Sequence, residues 1–91
     1  VRLNTYYTVG CEEIYDRALA QGGVRKMGRR DACPGGCVFA TVADAEDYIV
    51  ERGLQGYAVY ELECDDFDVI WGSDGRIILV RDSLIAGKVE T

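Results

Sequence analysis

Five acids fall within eight residues: Glu61, Glu63, Asp65, Asp66 and Asp68. That density suits a hard cation, which takes several carboxylate oxygens at once. The order is not that of an EF-hand loop, whose glycine and closing glutamate are missing from their places. Two other readings stand at even weight. One is a strand edge guarded by charge against edge-to-edge pairing. The other is a partner surface, where the acids steer a basic protein and nearby aromatics supply contact area. The candidate partner-binding residues are Glu61, Glu63, Asp65, Asp66 and Asp68 with Tyr60 and Trp71; Tyr57 and Phe67 flank them.

A basic cluster lies elsewhere. Arg25, Lys26, Arg29 and Arg30 supply four of the ten bases, with glycines close by. Arg forks and backbone N–H groups of such a loop can hold a phosphate or a nucleotide. The glycine, lysine and hydroxyl order of a P-loop is missing. A solvated charged loop is the favoured reading, and phosphate or nucleotide binding is the competing one.

The stretch "RRDACPGGCVFATVADAEDYI", residues 29–49, sets Cys33 and Cys37 around a Pro-Gly-Gly turn. Their spacing is allowed in zinc sites, but Cys11 and Cys64 are isolated and form no second pair. A redox pair normally has two intervening residues, and here there are three. A Cys33–Cys37 disulfide fits across the turn but not a reducing compartment. Structural thiols packed as small hydrophobes are therefore expected, with no bound metal and no cofactor. The chain contains no histidine. That removes the commonest general acid–base near neutral pH and the commonest zinc ligand, and with them any Ser-His or Cys-His pair.

The whole chain is acidic, with 16 acids against 10 bases and a net charge of −6 over 91 residues. Phosphate backbones attract basic faces, so no direct nucleic-acid binding is expected. A basic protein partner fits the charge, including one whose own task is to bind nucleic acid. The plainer reading is that the charge keeps a small domain in solution. With 48% apolar residues the chain reads as globular, and one domain over 1–91 is expected. No segment has the length of apolar residues that a membrane span needs. With no basic-then-apolar leader among these residues, a cytoplasmic location is the expectation.

The elements that must position these groups follow from periodicity. "TYYTV", residues 5–9, is aromatic and β-branched, which predicts a strand. "CEEIYDRALAQGG" predicts a helix over 12–21, with Ile14, Tyr15, Ala18 and Leu19 on one face and two glycines as the stop. Residues 24–36 show neither period and are expected to be irregular. A buried strand is expected at 36–40. Thr41 is a suitable N-cap with Asp44 three residues on, opening a helix over 42–52 that turns Val42, Ala45 and Ile49 inward, with Tyr48 beside them. "GYAVYELEC" alternates, which predicts a strand at 57–63 with Tyr57, Val59 and Glu61 on one side and Ala58, Tyr60 and Leu62 on the other. Strands at 68–71 and 76–80 flank Asp74-Gly75, a hairpin turn signal. The tail "AGKVE" suggests a short last strand. The expected fold is α+β in the order β-α-β-α-β-β-β, a mostly antiparallel twisted sheet with two helices.

This order and its landmarks resemble a small ADP-ribosyltransferase-like fold. "TYYTV" stands for that family's first strand, "GGCVFATVADAEDYI" for its middle strand and helix, and "GYAVYELEC" for the strand after. The resemblance covers roughly residues 5–80. It implies an Arg or His on the first strand to contact NAD and a Glu or Gln on a late strand. Here Thr5, Tyr6 and Tyr7 stand in the first place, and "WGSDGRIILVRD" offers only Asp74 and Asp82 in the second. The resemblance thus implies the fold without the catalytic motifs, and no NAD-dependent transfer.

Two functions compete. The first is a small acidic interaction module, such as a phage or mobile-element inhibitor, that occupies a basic surface of a nucleic-acid-binding protein. The second is a nucleotide-binding or ADP-ribosyl-transferring enzyme that uses the Arg25–Arg30 segment. A domain held together by metal is a third, less favoured reading.

Overall fold

The computed structural model describes residues 3–26, 37–65, 69–71, 77–79 and 83–89. Among them are two helices and seven strands: β1 (Leu3–Cys11), α1 (Glu12–Ala20), β2 (Val24–Lys26), β3 (Cys37–Val38), α2 (Val42–Arg52), β4 (Tyr57–Asp65), β5 (Val69–Trp71), β6 (Ile77–Leu79) and β7 (Ser83–Lys88). The protein is α+β, and every strand pairing among the described residues is antiparallel. The expected order holds, the suggested tail strand is present as β7, and one further strand is added between α1 and β3.

That strand is β2, within the stretch expected to be irregular. Val24-Arg25-Lys26 has no alternation to announce it. Its partner does the work: Val24 pairs with Ile85, Arg25 with Leu84 and Lys26 with Ser83. Pairing across 57 or more residues of chain leaves no trace in local periodicity.

Sheet order places β4 at the centre. One sheet runs β1-β4-β7-β2, and the other runs β3-β6-β5. The two are stitched by Tyr7 and Phe39, which exchange both backbone hydrogen bonds at 2.8 and 2.7 Å. On one face of the larger sheet, Tyr6, Tyr60, Leu62, Cys64 and Ile85 are buried together with Val38, Val69 and Ile77 of the smaller sheet, and Tyr15 and Leu19 of α1 pack on them. On the other face, Val9, Ala45 and Val59 are buried, with Tyr48 and Ile49 of α2 and Tyr57 of β4 around them. The alternation read from the sequence is the one observed in β4, because its two faces feed these two clusters.

Helix ends follow their local chemistry. Cys11 precedes α1 and supplies no side-chain cap, so one orphan donor is met from afar: Glu12 N–H donates to Gly56 O at 2.8 Å. The helix ends at Ala20, one residue before the expected stop. Ile14, expected inward, is 62% exposed, while Tyr15, Ala18 and Leu19 are half-buried. Gly10 lets Tyr15 lie low on the sheet, which turns the contact face toward Tyr15 and away from Ile14. In α2, Thr41 Oγ1 accepts from Asp44 N–H at 3.1 Å, as its spacing predicts. Gly53 ends that helix at φ 62°, and Leu54 N–H reaches back to Ile49 O at 3.1 Å. This is a left-handed cap that glycine adopts without strain.

Candidate functional site

The acidic row lies on β4. That strand runs two residues beyond its expected end, so Asp65 belongs to the strand and not to the turn after it. Strand alternation then puts Glu61, Glu63 and Asp65 on the face that also carries Tyr57 and Val59. Val59 is buried beside α2, but Glu63 is exposed, and Glu61 and Asp65 are half-buried. Across the ladder Thr5 is paired with Glu63 and is also exposed. On the other side Leu62 pairs with Ile85. Glu63 and Leu84, one step on along each strand, therefore share the outer face. Leu84 is 53% exposed and Ala86 is exposed as well. The half of the sheet face beyond Val59 is thus an open strip with acids down its middle and small or apolar residues beside them.

The expected partner set divides. Tyr60 does not belong to it: the residue is fully buried, at 0% exposure. It shares a face with Leu62 and Cys64, under α1, and its ring centroid is 4.9 Å from that of Tyr15. Trp71 is 57% exposed, on β5 in the smaller sheet. Asp66, Asp68 and Phe67 lie outside the described residues. In the basic set, Arg25 and Lys26 lie on β2 and not in a loop, while Arg29 and Arg30 lie outside the described residues. Cys11 and Cys64 form no disulfide; Cys64 is buried as a small core residue and Cys11 is half-buried. Cys33 lies outside the described residues. Among the described residues no group of three or more Cys, Asp or Glu side chains is arranged to hold a metal ion.

A second polar group escaped the sequence reading. Lys88 donates to Glu12 Oε2 and to Asp16 Oδ2, each at 2.9 Å. Tyr60 donates its hydroxyl to Asp16 Oδ1 at 2.8 Å. Glu12 and Asp16 are four apart on α1, hence on one helix face. That spacing was readable; the lysine that joins them comes 72 residues later in the chain. Hydrogen bonds from Lys88 and then Tyr60 hold the Asp16 carboxyl below the usual carboxylate range. The bonds to Asp16 and Glu12 push Lys88 above the usual lysine value. Burial, and then the bond to Asp16, push Tyr60 well above the usual phenol value. A lysine so held stays an ammonium, without the free lone pair that a nucleophile needs. The trio of Glu12, Asp16 and Lys88 carries a net charge of −1.

A cleft of about 520 Å³ opens beside this trio. Glu12 and Lys88 form one wall, Glu46 and Ile49 of α2 another, and Tyr57 to Val59 of β4 the floor. Val89 closes one end, with its N–H donated to Val59 O at 2.9 Å. No helix among the described residues is long and apolar enough to cross a membrane. No protein-family model matches the chain, nor does any curated protein or solved structure.

Proposed function

We propose that this chain is a small acidic interaction module that occupies a basic surface of a nucleic-acid-binding protein, in the manner of an inhibitor carried by phages or mobile elements. The observation that carries the reading is the row of Glu61, Glu63 and Asp65 on one open face of β4, beside exposed Leu84. Acids in a row raise the encounter rate with a basic patch, and apolar area beside them holds the complex once formed. A net charge of −6 extends the same field over the molecule. On this reading the module acts in the cytoplasm, and its resemblance to an ADP-ribosyltransferase-like fold is one of scaffold and not of catalysis.

The test is a paired capture from cell extract. The wild-type chain and a variant carrying Glu61→Lys, Glu63→Lys and Asp65→Lys are immobilised side by side, after circular dichroism has shown both folded. The reading expects basic nucleic-acid-binding proteins on the wild type, released by moderate salt and missing from the variant. Equal capture by both chains contradicts it.

A further inference from the structure

The acidic strip does not end where α2 begins. Val59 and Glu61 are two residues apart on one face of β4, a separation of about 7 Å. Val59 belongs to the floor of the 520 Å³ cleft, so the cleft and the strip are continuous along one strand. The cleft has the two-part lining that fixes a ligand's orientation: an apolar floor and a few convergent polar groups. Ile49, Tyr57 and Val59 supply the first part, and Glu12, Glu46 and Lys88 the second.

Charge decides what enters. Lys88 is the cation among the described lining residues, and two carboxylates at 2.9 Å already take its hydrogen bonds. Glu12 Oε1 accepts no hydrogen bond from the described residues, and Glu46 pairs with no cation among them. Glu12, Glu46 and Lys88 of the lining, with Asp16 bound to Lys88, together carry −2. A phosphate or carboxylate entering here would meet the Glu46 and Glu12 carboxylates, and Lys88 is already held by two acids of its own. A guanidinium would find two carboxylates to accept its several donors, and its three-carbon stem would lie on the apolar floor.

We infer that the cleft between α1, α2 and the start of β4 receives an arginine side chain of the basic protein partner. This rests on the proposed function and deepens it: the strip steers the partner in, and the cleft takes one arginine as the anchor. A buried arginine in a pocket is a frequent hot spot, while charges at the rim contribute mainly to approach. Tyr57 takes the place in this scheme that is expected of the aromatics around the acids, as contact area beneath a charged group.

The test uses N-acetyl-arginine N-methylamide as the probe, titrated into the labelled chain and followed by amide and methyl shifts. The expected result is saturable change at Ile49, Tyr57 and Val59 in the millimolar range, absent with the matching norleucine compound and with inorganic phosphate. Glu46→Lys should abolish saturation, and Glu46→Gln should weaken it about two- to fivefold. Shifts that follow phosphate, or that ignore Glu46→Lys in a folded chain, overturn the inference. The two readings fail separately. Loss of arginine binding with intact, strip-dependent partner capture overturns the cleft alone. Arginine binding with capture indifferent to the strip overturns the proposed function, and the cleft then stands as a site for arginine itself.

Discussion

Gly10 and Tyr15 occupy what is in effect one space: a Cβ placed on Gly10 would lie 2.3 Å from Tyr15 Cε2. The glycine on β1 lets the ring come close to the strand, where it meets Tyr60 in a tilted contact. Gly10→Ala must push a half-buried ring aside, and overpacking of this kind costs about 1–3 kcal/mol. A urea midpoint measurement should show that loss. Combined with Tyr15→Ala, the glycine change should cost less than the sum of the two, because the ring it collides with is gone.

The Tyr60–Asp16–Lys88 contact makes stability depend on pH in a defined direction. Asp16 is held below its ordinary value, so its contribution is complete above about pH 4 and is lost as pH falls through the folded value. Tyr60 and Lys88 are raised, so theirs is complete below about pH 10 and is lost as pH rises through the folded values. Lys88→Met should weaken both limbs of the pH profile, since it removes the main cause of the Asp16 shift and its own titration. Tyr60→Phe should flatten mainly the alkaline limb. Urea midpoints from about pH 3 to pH 11 for the three chains check this; variant curves parallel to the wild type at both ends would contradict it.

Thr41 begins α2, and α2 is one wall of the cleft. Thr41→Ala removes the acceptor for Asp44 N–H and should cost about 0.5–2 kcal/mol. Thr41→Ser keeps the oxygen and should restore most of the loss. Thermal unfolding of the three chains separates the cap from the methyl group.

The core offers a control on these surface effects. Leu62 is fully buried between the two sheets. Leu62→Ala should cost about 2–5 kcal/mol, with the spread set by how far the neighbours relax. A loss well under 1 kcal/mol would mean that the face beneath α1 is not packed as described.

Local signals were enough for some of this architecture. Thr41 and Gly53 mark α2 at both ends, and the alternation from Tyr57 to Leu62 gives β4 and the two faces its side chains take. Where long-range pairing decides, local reading ran out. β2 exists because β7 lies beside it, and Arg25 and Lys26 become strand residues for that reason. Tyr60 reads as an interface aromatic among acids, yet it is core, because α1 and Tyr15 cover its side of the sheet. Glu61 and Glu63 were legible as one face from spacing alone. The link from Lys88 to Glu12 and Asp16, and the cleft beside it, join three distant parts of the chain. Only the fold could bring them together.

The acidic strip is tested most directly by association kinetics with the captured partner. Rates are measured at low and at moderate salt for the wild type and for the Glu61→Lys, Glu63→Lys, Asp65→Lys chain, with both shown folded. The account predicts wild-type association that slows steeply with salt, and variant association that is slower by about tenfold or more at low salt and nearly independent of salt. Equal rates and equal salt slopes for the two chains would contradict it and place the interface off β4.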